Sequence, residues 1–389
     1  MTKVKILHYS THNEDCGIGK YQEQFLAAMN EAASKDVENQ FFKYSPNQTK
    51  IMSFEQFTPV LNELKGTLRN FDLLHVQHEL SFYKHDELSR IVNGAHEIGK
   101  RVIITVHTAP DAQYKTPFRE GYGPRSIVKF IREKRAAEEF KKVHLEPISS
   151  ADLVLVHNTT TRDNLVKHGI NKANIQLITL PVPSLSFDES SNEIKSALNF
   201  TKGDVIIASV GFVSKTKGVK QAVKALKYLP ENYKLAIIGG VHPSGGGEDY
   251  LDEVTDLIIE LDLKQRVYIT GFVEEDKTLN ALIRECDVCI YPYDRKYYSF
   301  VSSAALNNAL ANHKPAIVYP TPPFIEMNGS GTVAITKSAN YYELARYILA
   351  ADYTILAQRS KEYAKEFNYL DEATKLVTIY QSEVEKTQE

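Results

Sequence analysis

The sequence predicts an α/β protein made of two doubly wound, Rossmann-like domains that face a cleft. Three observations carry this expectation. Short apolar segments alternate with stretches of helical periodicity, the pattern of parallel strands covered by crossover helices. The alternation breaks once, at Pro181, Pro183, Ser184 and the polar stretch Asp188–Glu193. It then restarts with the same rhythm, and 389 residues suffice for two such cores.

Val4–Tyr9 has the apolar content of a buried strand. A turn with Gly17 and Gly19 follows, and Ile18, Tyr21, Phe25, Ala28 and Met29 then recur at helical spacing. Leu73–His75 and Val102–Val106 read as strands. Asp152–His157 is another, followed by a helix through Arg162–Lys167 and a strand at Ile175–Thr179. The second series opens with Val205–Gly211, a strand ending in glycine. Val219, Ala222, Val223, Leu226 and Leu229 make a helical stripe. Lys234–Ile238 ends at Gly239-Gly240, and Arg266–Thr270, Val288–Tyr291 and Ala316–Val318 are three further strands. From Tyr341 onward the chain is helical in character. The expected organisation is an N-terminal domain over 1–183, a linker over 184–203 and a second domain over 204–365. A C-terminal helix over 366–389 packs back on the first domain. Ligands of such sheets bind beyond the carboxyl ends of the strands, and two facing domains enclose a cleft.

A formal net charge of −3 argues against a protein that grips nucleic acid through bulk charge, and no nucleic-acid motif accompanies it. An apolar content of 43% with 24% charged residues excludes collagenous, coiled-coil and wholly disordered chains. No apolar run approaches the roughly 18 residues of a membrane-spanning helix. The first apolar stretch is too short for a secretory signal. The three cysteines, Cys16, Cys286 and Cys289, fit reduced thiols, so a cytoplasmic location is expected. Cys286-Asp287-Val288-Cys289 lies in an apolar run ending Ile290-Tyr291 and reads as strand, with no second pair to complete a zinc site.

Three turns after strands have phosphate-handling potential. Cys16-Gly17-Ile18-Gly19-Lys20 opens a helix, where glycines allow close backbone approach and unpaired N–H groups favour an anion. The same residues also suit a plain strand-to-helix turn. Gly211-Phe212-Val213-Ser214-Lys215-Thr216-Lys217-Gly218 places two lysines before an amphipathic helix. It lacks P-loop spacing, and solvated lysines are the alternative. Tyr297 to Leu306 leads into a helix through Ser302 and Ser303, which serve either as caps or as phosphate contacts.

Together these segments resemble the GT-B glycosyltransferases, specifically the large retaining family 4. The resemblance spans nearly the whole chain. It also runs through Leu74-His75-Val76-Gln77-His78-Glu79, Ile104-Thr105-Val106-His107-Thr108 and Ser149-Ser150-Ala151-Asp152 with Val154-Leu155-Val156-His157-Asn158. In the second half it takes in Thr270-Gly271-Phe272-Val273, Ala311-Asn312-His313-Lys314-Pro315-Ala316 and Thr321-Pro322-Pro323-Phe324-Ile325-Glu326. It implies sugar transfer from a nucleotide diphosphate donor, with retention at the anomeric carbon. The donor is expected on the second domain and the acceptor, a glycan or lipid-linked glycan of the cell-surface polysaccharide type, on the first. Lys217 matches the lysine that holds the donor phosphates. Gly17 and Gly19 match the loop approaching the diphosphate from the other side. Ser302 and Ser303 occupy the helix start that meets the phosphates, and His107 matches a histidine near the transferred sugar. Glu326 is placed toward the donor. No cofactor is implied: the UDP- or GDP-linked donor is a substrate. Fixed cations and helix N–H groups would stabilise charge growing on the departing β-phosphate, so no obligatory metal is expected.

The chain departs from the family pattern in two places. Phe212 stands where many relatives carry an arginine, and Lys215 is assigned the second charge. Phe300 and Asn308 stand where many relatives carry glutamates, and Asn308 keeps hydrogen-bonding capacity toward the ribose. A nucleotide-sugar epimerase of the same fold and a non-catalytic partner subunit are the rival readings. His75, His78 and Glu79 read either as acceptor-side residues or as a satisfied polar strand end. The stretch 125–142 holds seven Lys or Arg and three Glu around Ile127, Val128, Phe130 and Ile131. It reads as a solvated helix or as a peripheral contact with an anionic membrane face.

Overall fold

The computed structural model describes residues 3–12, 14, 16–109, 124–187, 189–242, 247–296 and 302–387 (side chains of 124, 125 and 328 excepted). The chain divides into two compact units. One is Met1–Leu180 with Phe300–Ser302 and Tyr369–Glu389. The other is Pro181–Ser299 with Ser303–Asn368. Each is a doubly wound, Rossmann-like α/β unit, the fold class the sequence predicts.

The first unit holds strands β1 (Val4–Tyr9), β2 (Val37–Phe41), β3 (Leu73–His78), β4 (Arg101–Val106), β5 (Leu153–Val156) and β6 (Ile175–Leu177). They form a six-stranded parallel sheet in the order β2-β1-β3-β4-β5-β6. Successive residues of a strand face opposite sides, and here the two sides differ in chemistry. Leu7, Tyr9, Leu74, Val76, Ile104, Val106, Val154 and Val156 make one side apolar up to His78 at the carboxyl end of β3. On the other side Ile6, Leu73, Ile103 and Leu155 are apolar near the amino ends. That side turns polar near the carboxyl ends, at His8, His75, Gln77 and Thr105. It is covered by the helices Gly17–Ala33 and Tyr369–Glu385, which pack on each other. Tyr380, fully buried, completes its apolar cluster. The Arg101 guanidinium pairs with the buried Glu383 carboxylate at 2.6 Å.

The second unit holds β7 (Val205–Val210), β8 (Tyr233–Ile238), β9 (Val267–Ile269), β10 (Val288–Tyr291), β11 (Ala316–Val318) and β12 (Ala334–Ile335). All pairings are parallel, in the order β12-β11-β10-β7-β8-β9. Cys286 and Cys289 are buried; Cys289 lies inside β10 as expected, whereas Cys286 is not a strand residue but ends the helix Asp276–Glu285.

The segment 184–203, expected as a linker, is part of this second unit. Ile194 and Leu198 are 0% and 2% exposed, inside and just after the short helix Glu193–Ala197. Lys195 N–H donates to Glu285 Oε2, and Tyr268 Oη donates to Glu193 Oε1. Polar composition on one side of a short helix masked two buried anchors. Two strands escape the sequence pattern. In β2 only Val37 is buried, so the edge strand Val-Glu-Asn-Gln-Phe shows no apolar run. β12 is two residues long. The helix Phe54–Leu68 runs through Pro59 and starts from a Ser53–Gln56 capping box.

Replacing Ile194 by Ala should lower the stability of the second unit by about 2–5 kcal/mol, the usual result of emptying a filled core site. Denaturant unfolding reads this directly. An unchanged midpoint would restore the linker reading.

Candidate functional site

Read from β9, the second sheet runs β9-β8-β7-β10-β11-β12, the strand order of a dinucleotide-binding sheet. Its connections diverge between β7 and β10, and ligands of such sheets bind outside the carboxyl ends there. The loop 211–218 leaves β7 at this point, and Pro292-Tyr293 leaves β10. The two are pressed together. A Cβ on Gly218, whose φ is +67°, would lie 1.9 Å from the Pro292 carbonyl oxygen. The Asp294 N–H donates to the Thr216 carbonyl at 3.1 Å.

This closeness sets Lys217 Nζ 4.2 Å from the centroid of the Tyr293 ring. The Tyr293 hydroxyl lies 3.2 Å from Ser303 Oγ. Ser303 caps the helix Ala304–Ala311 by accepting the Leu306 N–H at 3.1 Å. Lys217, Tyr293 and Ser303 thus gather a cation, a phenol and a helix start at the switch point, an arrangement suited to an anion. Beyond the carboxyl end of β11, Tyr319 Oη and Thr321 Oγ1 are buried without a partner among the described residues.

The remaining expected residues spread out. Lys215 turns to Glu253 on the helix Glu248–Glu260, at 3.9 Å, and Lys220 holds the same carboxylate. Lys215, expected to bring a second charge beside Lys217, has Glu253 as its acidic neighbour. Asn308 is half-buried in the helix that Ser303 caps. Glu326 is exposed at the end of Pro322–Glu326. Ser302 groups with the first unit, where Asn158 Nδ2 donates to its hydroxyl at 3.0 Å. Phe300 lies outside the described residues.

One feature escaped sequence reasoning. Phe212 lies parallel to Phe272, centroids 6.1 Å apart, and its ring meets His242 at 4.5 Å. The three rings follow β7, β8 and β9. Gly239 lets these strand ends converge, since a Cβ there would lie 2.2 Å from the Gly211 carbonyl. The available signal was positional: each aromatic follows a glycine-terminated strand.

In the first unit, His107 follows β4 and is buried. Its Nε2 lies 2.8 Å from Gln77 Oε1 and its Nδ1 3.1 Å from His157 Nε2. Tyr21 meets both imidazoles edge-on, at 5.0 and 5.3 Å. Burial, then the neighbouring imidazoles, push the His107 pKa well below its ordinary value. His75 and His78 are fully buried. His75 lies 2.6 Å from Tyr380 Oη and 2.8 Å from Thr105 Oγ1, and His78 lies 3.1 Å from His144. These contacts satisfy both nitrogens of His75, whereas His78 Nδ1 is buried without a partner among the described residues. Glu79 accepts from Thr108 Oγ1 at 2.7 Å, and burial raises its pKa. A Cβ placed on Gly19 would lie 3.4 Å from the Thr11 carbonyl oxygen, whereas nothing approaches within 4 Å of one placed on Gly17. Cys16 supplies no side-chain cap to the helix these glycines open.

Residues 190–367 match the family model of glycosyl transferases group 1. The switch point with Lys217, Tyr293 and Ser303 lies inside that segment. Among solved structures, the chain is similar to HepE of Anabaena in complex with UDP. The identity is 14% and the TM-score 0.70, over 98% of this chain and 100% of that one. Sucrose-phosphate synthase of Thermosynechococcus elongatus matches at 16% identity and a TM-score of 0.69, over 98% and 99%. WaaG, a glycosyltransferase involved in lipopolysaccharide biosynthesis, matches at 15% and 0.60, over 97% and 99%. No curated protein matches by sequence. At these identities the likeness concerns the fold, which is of the expected GT-B class.

Burial pushes His8, His144 and His157 each down to about 4. The unfolded chain, with ordinary histidines, then binds the extra protons. Their contribution is complete above the ordinary value near 6.5 and is lost as pH falls toward 4, by about 1.4 kcal/mol per pH unit for each. Glu87, raised to about 7 by burial, runs the opposite way: its contribution is present at low pH and is lost as pH rises through 7. The histidines outweigh the one carboxyl, and His75, His78 and His107 shift the same way, so stability should fall by at least about 3 kcal/mol per pH unit between pH 6 and 5. Urea unfolding at several pH values checks this, and a flat profile would overturn it.

Proposed function

We propose that the protein is a glycosyltransferase that moves a sugar from a nucleotide diphosphate donor to a glycan or lipid-linked glycan, with retention. The observation that supports this best is the gathering of Lys217, Tyr293 and Ser303 at the switch point of the second unit. The group 1 match over the same segment supports it as well. The structures of HepE with UDP and with UDP-glucose favour a UDP-linked donor.

The mechanism follows from charge. As the glycosidic bond breaks, negative charge grows on the β-phosphate of the leaving nucleoside diphosphate. The Lys217 ammonium and the N–H groups at the start of Ala304–Ala311 stabilise that charge more in the transition state than in the ground state. No obligatory metal is invoked, because these groups supply the positive field. A departing phosphate oxygen takes the acceptor hydroxyl proton, and attack on the face the leaving group vacates gives retention. The aromatic trio of Phe212, His242 and Phe272 provides flat surface for the nucleoside. The acceptor binds the first unit, to which His107 and the helix start at Gly17 and Gly19 are assigned. The protein is proposed to work in the cytoplasm.

Among the described residues no helix is long and apolar enough to cross a membrane. A peripheral contact through the helix Pro124–Phe140 is proposed for lipid-linked acceptors. Val128 and Ile131 are 66% and 45% exposed beside Lys129, Arg132 and Lys134.

A second reading, a non-catalytic partner subunit, draws on Phe212 and on the engagement of Lys215 by Glu253. Calorimetric titration with UDP, GDP, ADP, CDP and TDP separates the two. Selective binding of one, with UDP expected, supports the transferase, and binding of none by folded protein supports the partner subunit. Replacing Lys217 by Ala should weaken that binding by about 1.5–3 kcal/mol, as for a lost charged hydrogen bond; unchanged affinity removes Lys217 from the site. Replacing Lys129 and Arg132 by Ala should reduce binding to anionic liposomes, roughly 1 kcal/mol for each charge. A wild-type protein that ignores such liposomes would end the membrane proposal.

A further inference from the structure

A continuous row of polar side chains crosses the carboxyl ends of β3, β4 and β5. It runs from the Ile178 carbonyl through His157, His107, Gln77 and His75 to Tyr380. The steps are 3.0, 3.1, 2.8, 3.2 and 2.6 Å. One end of this row has a fixed polarity. A carbonyl only accepts, so His157 Nδ1 must carry a proton toward Ile178.

The rest follows by counting protons. If His157 is neutral, its Nε2 is bare and accepts. His107 then carries its proton on Nδ1 and leaves Nε2 bare. Gln77 must present its amide N–H group to that nitrogen and its carbonyl to His75; the two ends of a glutamine amide are interchangeable in shape. His75 carries its proton on Nε2, shared with Thr105 Oγ1 at 2.8 Å, and its Nδ1 accepts the Tyr380 hydroxyl. Every atom of the row is satisfied and none is charged. The opposite Gln77 orientation forces both nitrogens of His157 to donate, which makes it an imidazolium. His107 and His157 are buried, and both meet the ring of Tyr21. Burial in so dry a place disfavours the cation.

We infer that His157 is a positioning residue, which through the Ile178 carbonyl fixes His107 as the neutral Nδ1–H tautomer and makes its Nε2 a hydrogen-bond acceptor only. His107 is therefore no general acid. The meaning of this for catalysis rests on the proposed transferase reading, but the tautomer does not.

The test is long-range 15N–1H spectroscopy of histidine-labelled protein at about pH 7, with His107 and His157 assigned through His107→Gln and His157→Gln. The expected wild-type result is a protonated Nδ1 and a bare Nε2 on both rings. His157→Gln offers a carbonyl that accepts from His107 and should preserve the His107 tautomer. His157→Leu removes the acceptor, and the His107 proton should move to Nε2, facing a rotated Gln77. A wild-type His107 protonated on Nε2, or a cationic His157, would overturn the inference. So would an unchanged His107 tautomer in folded His157→Leu. If that variant does not fold, the wild-type spectrum alone decides. Nucleoside diphosphate titration is read separately, so its failure would remove the transferase reading and leave the tautomer standing.

Discussion

Gly218 has no room for a side chain. The Pro292 carbonyl oxygen lies where a Cβ would sit, 1.9 Å away, and the backbone has a positive φ. Everything at the second switch point depends on that approach. It draws the loop after β7 onto the segment after β10, so the Asp294 N–H reaches Thr216 and Lys217 comes over Tyr293. Tyr293 in turn reaches Ser303, whose hydroxyl also caps the next helix. A larger residue at 218 would separate the cation from the helix start without removing either. A conserved charge count would then conceal a lost site.

The first unit solves a different problem. Its sheet is buried on both sides, yet one side carries His8, His75, Gln77 and Thr105 near the carboxyl ends. Burying polar groups is tolerable only when they bond one another. They do so with neighbours on adjacent elements: His8 with Asn39 and Gln22, His75 with Thr105, and Gln77 with His107. The price is acid sensitivity, since neutral imidazoles in the fold become cations in the unfolded chain. The gain is a rigid polar shelf where an apolar core would offer no hydrogen bonds at all.

Much of this was legible in the sequence. Strands β7, β8 and β10 announce themselves by largely apolar runs, because both faces of a parallel strand are buried. Edge strands give no such run: β2 buries one residue in five, and β12 is two residues long. Ile194 and Leu198 were hidden among polar neighbours, since a one-turn helix needs only two anchors. At the site, Lys217 and Ser303 were legible because glycine turns and helix starts impose local chemistry. The acidic neighbour of Lys215 was not legible, because Glu253 lies far along the chain on another helix. The histidine row had a signal that went unused. His75, Gln77, Thr105, His107 and His157 all share the parity that faces one side of the sheet.

That parity bears on how charge is divided between the two units. Phe212 takes an arginine's place in the resemblance, and Lys215 is engaged by a carboxylate. The proposed donor site therefore rests its positive field on Lys217 and on backbone N–H groups at one helix start. Lys217 itself lies over an aromatic ring, which favours the cation without neutralising it. The first unit contributes no compensating charge through His107, because burial and its imidazole neighbours hold it neutral. A neutral His107 leaves the developing charge of the proposed reaction to the single lysine and the helix start of the second unit.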